Sequence, residues 1–300
     1  SMFLLASFIS GIGNTMLQAA VNPYITILGP LESAATRMSM MGIANKAAWA
    51  IAPIFLGVFL NLSDVKLEDI KMPFYFISGI FVVLGILVAF VPLPEVKAEG
   101  EDENDTESAA SAYASNKTSI WQFPHLLLGL VSLLCYVGVE TLAMASIVDY
   151  AKSIGLADPQ VYTSYTVIGM VAGYLVGVFF IPKYISQEKA MFICAIIGVA
   201  SSLLVVFLPV HVSIWFVALL GLANSLMWPA LWPLAMKDLG KFTKTGSSLL
   251  VMAIVGGAIF PLLFGWLADE FGDLQQAYWI CFPAYLMIFY YALSGHKIRV

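Results

Sequence analysis

Three amide side chains follow one another at helical spacing near the start of the chain. Asn14, Gln18 and Asn22 stand at positions i, i+4 and i+8, so they would line one face of a helix. Amides both donate and accept hydrogen bonds, which suits a ligand rich in hydroxyl groups, such as a sugar. The alternative is hydrogen bonding between neighbouring helices. Pro23 follows directly and predicts a local break in the helix.

Two ionisable residues, Lys46 and Glu140, fall deep inside long apolar segments, and Asn45 directly precedes the lysine. A buried ammonium or carboxyl group must pair, contact a ligand or change its protonation state. Lys46 could instead extend its long stem to the membrane surface. Glu140 is the candidate for carrying a proton, although it could also bind an ion, bind the ligand or pair with Lys46.

A third group repeats the i, i+4, i+8 spacing with Asn224, Trp228 and Trp232. Pro229 and Pro233 stand beside the two tryptophans and predict a kinked segment, which membranes tolerate where it is buried or lines a cavity. Indole rings can stack on the apolar face of a sugar and donate one N–H group. Trp232 lies near enough to the end of its segment to be an interfacial anchor instead.

Motifs for other chemistry are missing. The sequence contains no zinc-protease, serine-hydrolase or P-loop spacing, so we predict that the protein is not an enzyme. The three cysteines are far apart and show no metal spacing. We expect no cofactor and no metal. The histidines, His125, His211 and His296, lie at the ends of apolar segments, where we expect them to be solvated.

The composition indicates what must position these residues. Apolar residues make up 60% of the 300 residues and charged residues 11%, whereas a soluble domain is nearer half apolar and a quarter charged. This excludes a soluble enzyme, a disordered chain and a nucleic-acid binder. The net charge of −5 comes from an acidic stretch at 95–107 and implies no polyanionic partner. The remaining class is a polytopic protein surrounded by the lipid bilayer.

Nine apolar stretches are long enough to cross a bilayer, and because backbone polar groups cannot go unpaired in lipid, all nine must be helices. An acidic segment, 95–120, is predicted to be a flexible linker between a partial N-terminal half, 1–94, and a six-helix half, 121–300. The nine stretches cover approximately 3–28, 38–61, 73–93, 122–150, 162–184, 189–209, 212–236, 246–268 and 276–295.

The distribution of positive charge predicts the orientation. Ten of the 14 lysine and arginine residues would lie on the side of the linker, three on the opposite side and one within the membrane. The positive-inside rule therefore places the linker and the C-terminus in the cytoplasm of a cell (inner) membrane protein. Transporters are commonly built from paired three-helix repeats. The uneven division of three and six helices predicts that the first three of twelve helices are missing.

Three segments resemble the fucose:proton symporter family of the major facilitator superfamily: LQAAVNPYITILGP (17–30), YVGVETLAMASIVDY (136–150) and GLANSLMWPALWPLAMKDLGKFTKTGSSLLVMAIVGGAIFP (221–261). The resemblance covers essentially the whole chain and matches helices four to twelve of that family. It implies a major facilitator fold and a sugar permease that works by alternating access, usually driven by protons.

Details of the resemblance bear on the substrate. The fucose branch carries glutamate at the position of Gln18, and glutamine there is similar to the glucose/galactose branch. The run ESAATRMSMMGIANKAAW (32–49), with Asn45 and Lys46, resembles hexose and N-acetylglucosamine permeases. The resemblance therefore disfavours fucose as the substrate.

We predict an all-α secondary active transporter for a hexose or hexosamine such as glucose, galactose or N-acetylglucosamine. Proton symport is the expected mode, with sodium as the alternative coupling ion. The alternative function is a transporter-like sugar sensor that binds without translocation. We expect a monosaccharide substrate, no nucleic-acid partner and a monomer. Glu140 is the coupling candidate, and the predicted substrate-binding residues are Gln18, Asn22, Asn45, Lys46, Glu140, Asn224 and Trp228.

Overall fold

A computed structural model describes residues 2–59, 69, 71–92, 94, 96 and 113–299, and no strand occurs among them. The predicted linker at 95–120 lies mostly outside these residues. The α-helices are α1 (Met2–Ile27), α2 (Ala34–Phe59), α3 (Lys71–Phe90), α4 (Pro124–Ser153), α5 (Gln160–Phe180), α6 (Gln187–Phe207), α7 (Val210–Ser225), α8 (Met227–Met236), α9 (Thr243–Met252), α10 (Gly256–Phe271), α11 (Leu274–Ala277) and α12 (Cys281–Leu293).

Eight stretches of the described residues are helical and are long and apolar enough to cross a membrane. They comprise α1, α3, α4, α5 and α6, followed by three composite stretches that combine α7 with α8, α9 with α10, and α11 with α12. Helix α2 also has the length to cross, with 26 residues. The predicted count of nine spans stays a prediction.

The chain forms two compact units, one built from 1–42 and 97–300 and the other from 43–96. In the first unit, α4 lies at the centre and packs against α5, α7, α8, α10 and α12. Half of its 30 residues are buried. The elements that carry the polar residues of the second half of the chain are therefore all arranged around α4.

Glycines allow the closest approaches to α4. A Cβ atom at Gly256 would overlap the carbonyl oxygen of Leu134, and one at Gly138 would overlap the ring of Phe260. Only a residue without a side chain fits where two helix backbones come this close, as is common between membrane helices. Helices α4 and α10 are thus held in direct contact along the length that carries Glu140.

The second unit contains the latter part of α2 together with α3. Three aromatic rings, those of Phe55, Phe59 and Phe76, join the two helices with centroid distances of 5.2 to 5.7 Å. Among the described side chains of α3, Pro73 is the one that is buried. Most of the apolar surface of α3 is therefore left exposed by the rest of the described chain.

Arg37 organises the turn between α1 and α2. Its Nε donates to the carbonyl oxygen of Ile25 at 2.9 Å, and its Nη2 donates to the carbonyl oxygen of Thr26 at 2.7 Å. The same guanidinium also reaches the carbonyls of Gly29 and Pro30 and the hydroxyl of Ser33. Orphan carbonyls at the end of α1 thereby find donors, as a helix C-terminus requires.

The same turn contacts the end of α5. Thr36 Oγ1 donates to the carbonyl oxygen of Ile181 at 2.6 Å, and Gly177 faces the side chain of Ser39. Farther along, Gly42 faces the ring of Tyr174. The start of α2 is therefore packed along the second half of α5.

Two histidines are buried, and the expectation that they are solvated is wrong. His125 Nε2 donates to the carbonyl oxygen of Lys237 at 2.8 Å, and His296 Nδ1 lies 2.9 Å from the carbonyl oxygen of Tyr291. An ion pair between Arg299 and Asp238, at 2.9 Å, closes the same end of the bundle. The chain after α12 thus folds over the start of α4. His211 is exposed, as expected.

Candidate functional site

The amides of α1 do not all face inward. Asn14 is exposed, Gln18 is partly buried and Asn22 is buried. Asn22 Nδ2 donates to Gln18 Oε1 at 3.2 Å, so one amide orients the other. The predicted stripe of three is therefore reduced to a pair. Ser247 Oγ lies 3.5 Å from the carbonyl oxygen of Ala19, which brings this part of α1 against α9.

Asn45 and Lys46 differ in burial although they are adjacent. Asn45 is exposed, whereas Lys46 is 8% exposed. A lysine whose ammonium extended to the surface would keep more of its side chain accessible, so the burial disfavours that alternative. Both residues belong to the second unit, in α2.

Glu140 lies in a group of tyrosines on α4, α5 and α12. Tyr136, one turn earlier on α4, donates a side-chain hydrogen bond to the Glu140 carboxylate. Tyr174 and Tyr285 also interact electrostatically with Glu140. All three tyrosines are buried, and Glu140 is partly exposed. The carboxylate therefore has a hydroxyl donor beside it and keeps part of its surface accessible.

The two tryptophans of α8 stack in a row with Tyr136. The ring centroids of Tyr136 and Trp228 are 6.2 Å apart, and those of Trp228 and Trp232 are 5.3 Å apart. Trp232 is fully buried, so the interfacial-anchor alternative is wrong for it, whereas Trp228 keeps part of its surface exposed. Trp232 Nε1 has no hydrogen-bond partner among the described residues. Trp228 is the member of the row that a ligand can reach.

Asn224 is the penultimate residue of α7, just before the chain breaks at Leu226 and continues as α8. Tyr285 donates its hydroxyl hydrogen to Asn224 Oδ1 at 3.0 Å. Asn224 Nδ2 is buried and has no partner among the described residues. A buried donor without a partner costs on the order of 1–3 kcal/mol, so a ligand or water that accepts from this amide would stabilise it.

The break between α7 and α8 follows from the sequence around it. Pro229 removes a backbone donor at the start of α8, and Pro233 lies within it. The next residue, Ala230, donates its backbone N–H to the carbonyl oxygen of Leu226 at 3.1 Å. On either side of the break, Asn224 bonds to Tyr285 on α12 and Trp228 contacts Tyr136 on α4.

The structure brings Glu140, Asn224 and Trp228 into one cluster. Tyr136 contacts both Glu140 and Trp228, and Tyr285 interacts with both Asn224 and Glu140. Gln18 and Asn22 bond to each other on α1. No three His, Cys, Asp or Glu side chains in the described part of the chain are grouped to hold a metal ion.

Sequence reasoning missed Tyr174 and Tyr285 as members of the cluster. A tyrosine within an apolar helix resembles any core aromatic residue. The signal that could have found them is their hydroxyl, which needs a partner when it is buried. Tyr174 is also flanked by Gly173 and Gly177, which let α5 approach its neighbours.

A helical membrane protein with a carboxylate, an amide and an indole grouped inside the bundle has the form of a membrane transporter rather than an enzyme. The model of the Major Facilitator Superfamily matches residues 1–254. The chain belongs to this superfamily, which confirms the predicted fold class and family.

Two relatives and one solved structure show the likeness in detail. The glucose/galactose transporter of Brucella abortus biovar 1 (strain 9-941) is 32% identical, and the match covers 99% of this chain and 72% of the relative. The L-fucose-proton symporter of Escherichia coli (strain K12) is 25% identical, over 97% and 71%. The crystal structure of the superfamily transporter FucP in the outward conformation matches with a TM-score of 0.76 and 25% identity, over 92% and 72%.

Proposed function

We propose that the protein is a sugar permease that moves a hexose or hexosamine by alternating access, coupled to protons. Glucose, galactose and N-acetylglucosamine are the substrates we expect. The likeness to a glucose/galactose transporter over 99% of the chain supports a hexose. The likeness to an L-fucose-proton symporter supports proton coupling.

The observation that carries the proposal is the partly exposed indole of Trp228 against Tyr136, the tyrosine that bonds to Glu140. A pyranose has apolar C–H faces and a rim of hydroxyl groups, so it needs an aromatic surface and several hydrogen-bonding groups. Trp228 supplies the surface. Asn224 Nδ2 supplies a donor that has no other partner among the described residues.

Glu140 is the proton carrier in this proposal. When it is ionised, the carboxylate accepts from Tyr136. When it is protonated, the same group becomes a donor and can bond to a sugar hydroxyl. Protonation and sugar binding are thereby coupled at one side chain, since each favours the other.

The first half of the chain contributes the remaining candidates. Gln18 and Asn22 form a bonded amide pair on α1, and Gln18 keeps the more accessible position of the two. Asn45 and Lys46 are retained as substrate-binding candidates on the grounds of their residue types. The cytoplasmic position of the C-terminus and the monomeric state are further parts of this proposal.

Uptake into proteoliposomes tests the proposal. Vesicles that contain the protein receive labelled glucose, galactose or N-acetylglucosamine under an inward proton gradient, and parallel samples receive an inward sodium gradient. We expect accumulation with the proton gradient that a protonophore abolishes. Failure to accumulate any of the three sugars under either gradient would refute a hexose permease. Sugar binding without exchange would instead indicate a sensor.

A further inference from the structure

An apolar groove on the outside of the bundle lies between α5, α6 and the break between α7 and α8. It encloses about 160 Å³. Its lining includes Val176, Ile193, Cys194, Ile197, Leu222 and Ser225, and it presents no polar surface.

The floor of the groove is apolar because its polar groups bond to each other. Ser225 Oγ donates to the carbonyl oxygen of Leu222 at 2.6 Å, and Cys194 Sγ lies 4.0 Å from the same oxygen. At the rim, Val176 and Ile193 are 41% and 48% exposed. The groove therefore opens away from the core along two membrane-spanning helices, where acyl chains are the solvent.

Two lysines stand close in the chain to residues that line the groove. Lys189 precedes Ile193 and Ile197 at i, i+4 and i+8 on α6, so it continues the same helical face toward the end of the helix. Its side chain points toward the helix N-terminus, which is the membrane surface. Lys183 stands in the turn between the lining residues Ile181 and Ile185.

Further contacts define this mouth. The Lys183 ammonium lies 5.1 Å from the centroid of the Tyr184 ring, and Tyr184 is exposed. Aromatic residues at this level are typical of the bilayer interface. The nearby acidic residue, Glu188, lines a separate cavity with Glu32 and Lys237. Lys183 and Lys189 thus adjoin the lining residues Ile185 and Ala190 along the chain.

We propose that this groove is a binding site for an anionic phospholipid. One acyl chain lies along the groove against Cys194, and the phosphate group is held by Lys183 and Lys189. Basic residues at the membrane surface attract anionic headgroups at about 1 kcal/mol each. The site differs from the surrounding lipid contacts because it combines a depression for the chain with two charges at its mouth. It is independent of the proposed sugar transport.

Native mass spectrometry of the full chain tests the proposal. The protein is purified in detergent with equal amounts of phosphatidylglycerol and phosphatidylcholine, and the retained lipid is counted. We expect about thirtyfold preference for phosphatidylglycerol, since two residues at about 1 kcal/mol each give about 2 kcal/mol. The double variant Lys183→Gln/Lys189→Gln should lose this preference. Equal retention of the two lipids by the unaltered protein would overturn the proposal.

The matched control is Lys241→Gln/Lys244→Gln. It removes two charges from the same end of the bundle, and the Lys241 ammonium likewise lies over an aromatic ring, that of Phe242 at 5.4 Å. This variant should keep the preference for phosphatidylglycerol. If this control loses as much preference for phosphatidylglycerol as the Lys183/Lys189 variant, the lipid is attracted only by the general charge of the surface. The proposed site in the groove would then be wrong.

A second pair of variants tests the acyl chain. Val176→Phe places a ring into the groove from its exposed rim and should reduce the retained phosphatidylglycerol severalfold. Ile168→Phe adds the same ring on α5 at an exposed position that does not line the groove, and it should have no effect. Equal retention by Val176→Phe and the unaltered protein would contradict occupation of the groove.

Discussion

Helices α3 and α4 are both apolar enough to span a membrane, yet they differ in what they contact. Helix α4 is buried along half its length and carries Tyr136 and Glu140. Helix α3 buries Pro73 among its described side chains and exposes its aromatic side chains, including Phe90, which is 82% exposed. Apolar composition thus predicts which segments lie in the membrane, but the helix at the centre of the packed bundle is the one with glycine contacts and polar residues.

The largest effect is expected on the free energy of unfolding, and it tests the difference in packing between α4 and α3. In Gly256→Ala the added methyl group would overlap the Leu134 carbonyl on α4. We expect a loss of about 3 kcal/mol, since overpacking forces the backbones apart. Thermal unfolding in detergent measures it. The control is Gly79→Ala in α3, where no atom lies within 4 Å of the added methyl group. Equal unfolding temperatures would contradict the difference in packing.

The next prediction concerns the proton. One pH unit supports about tenfold accumulation per coupled proton, which is about 1.4 kcal/mol. Glu140→Gln keeps the size and an acceptor for Tyr136 but cannot titrate. Sugar accumulation should fall to the external concentration, while exchange at equal concentrations persists. The control is Asp149→Asn, an exposed residue on the same helix paired with Lys152 at 3.5 Å. Unchanged accumulation in Glu140→Gln would remove Glu140 from coupling.

A smaller effect is expected for the indole. Trp228→Ala removes the partly exposed ring between Tyr136 and Trp232, and loss of an aromatic contact costs about 1 kcal/mol. The apparent affinity for sugar, measured by transport at varied concentration, should weaken about fivefold. Trp266→Ala on α10 is the control because that ring is 61% exposed. If both variants bind sugar as the unaltered protein does, Trp228 does not contact it.

The smallest effect is expected at the exposed ion pair of α4. Lys152 and Asp149 are 56% and 68% exposed, and such pairs contribute little. Lys152→Ala should change the unfolding free energy by less than about 0.5 kcal/mol. Arg299→Ala, which removes two bonds to Asp238 at 2.9 and 3.1 Å, should cost more. If Lys152→Ala lost more unfolding free energy than Arg299→Ala, the expectation that exposed contacts contribute less than half-buried ones would be wrong.

The sequence predicted the helical membrane fold because long apolar runs permit no other structure in lipid. It also predicted three members of the cluster, Glu140, Asn224 and Trp228, because polar groups and broken helices are costly there. It could not show which face of α1 is buried. Asn14 and Asn22 have the same side chain, and only the packing of α1 against α9 distinguishes them.

Other features depended on contacts between distant residues. The buried His125 bonds to the carbonyl oxygen of Lys237, which lies 112 residues away in the sequence. Tyr285 joins the cluster because α12 packs between α4 and α6. Such contacts arise from the tertiary arrangement, so they cannot be predicted from residue type or spacing.

The guanidinium at the junction of α1 and α2 has a mechanical consequence. Because Arg37 bonds to carbonyls on the end of one helix while its own backbone belongs to the next, the two cannot rotate separately without breaking several bonds at once. A torque applied to either is transmitted to both. Lysine would preserve the charge but not the planar set of five donors. The turn between α1 and α2 would therefore be held less firmly.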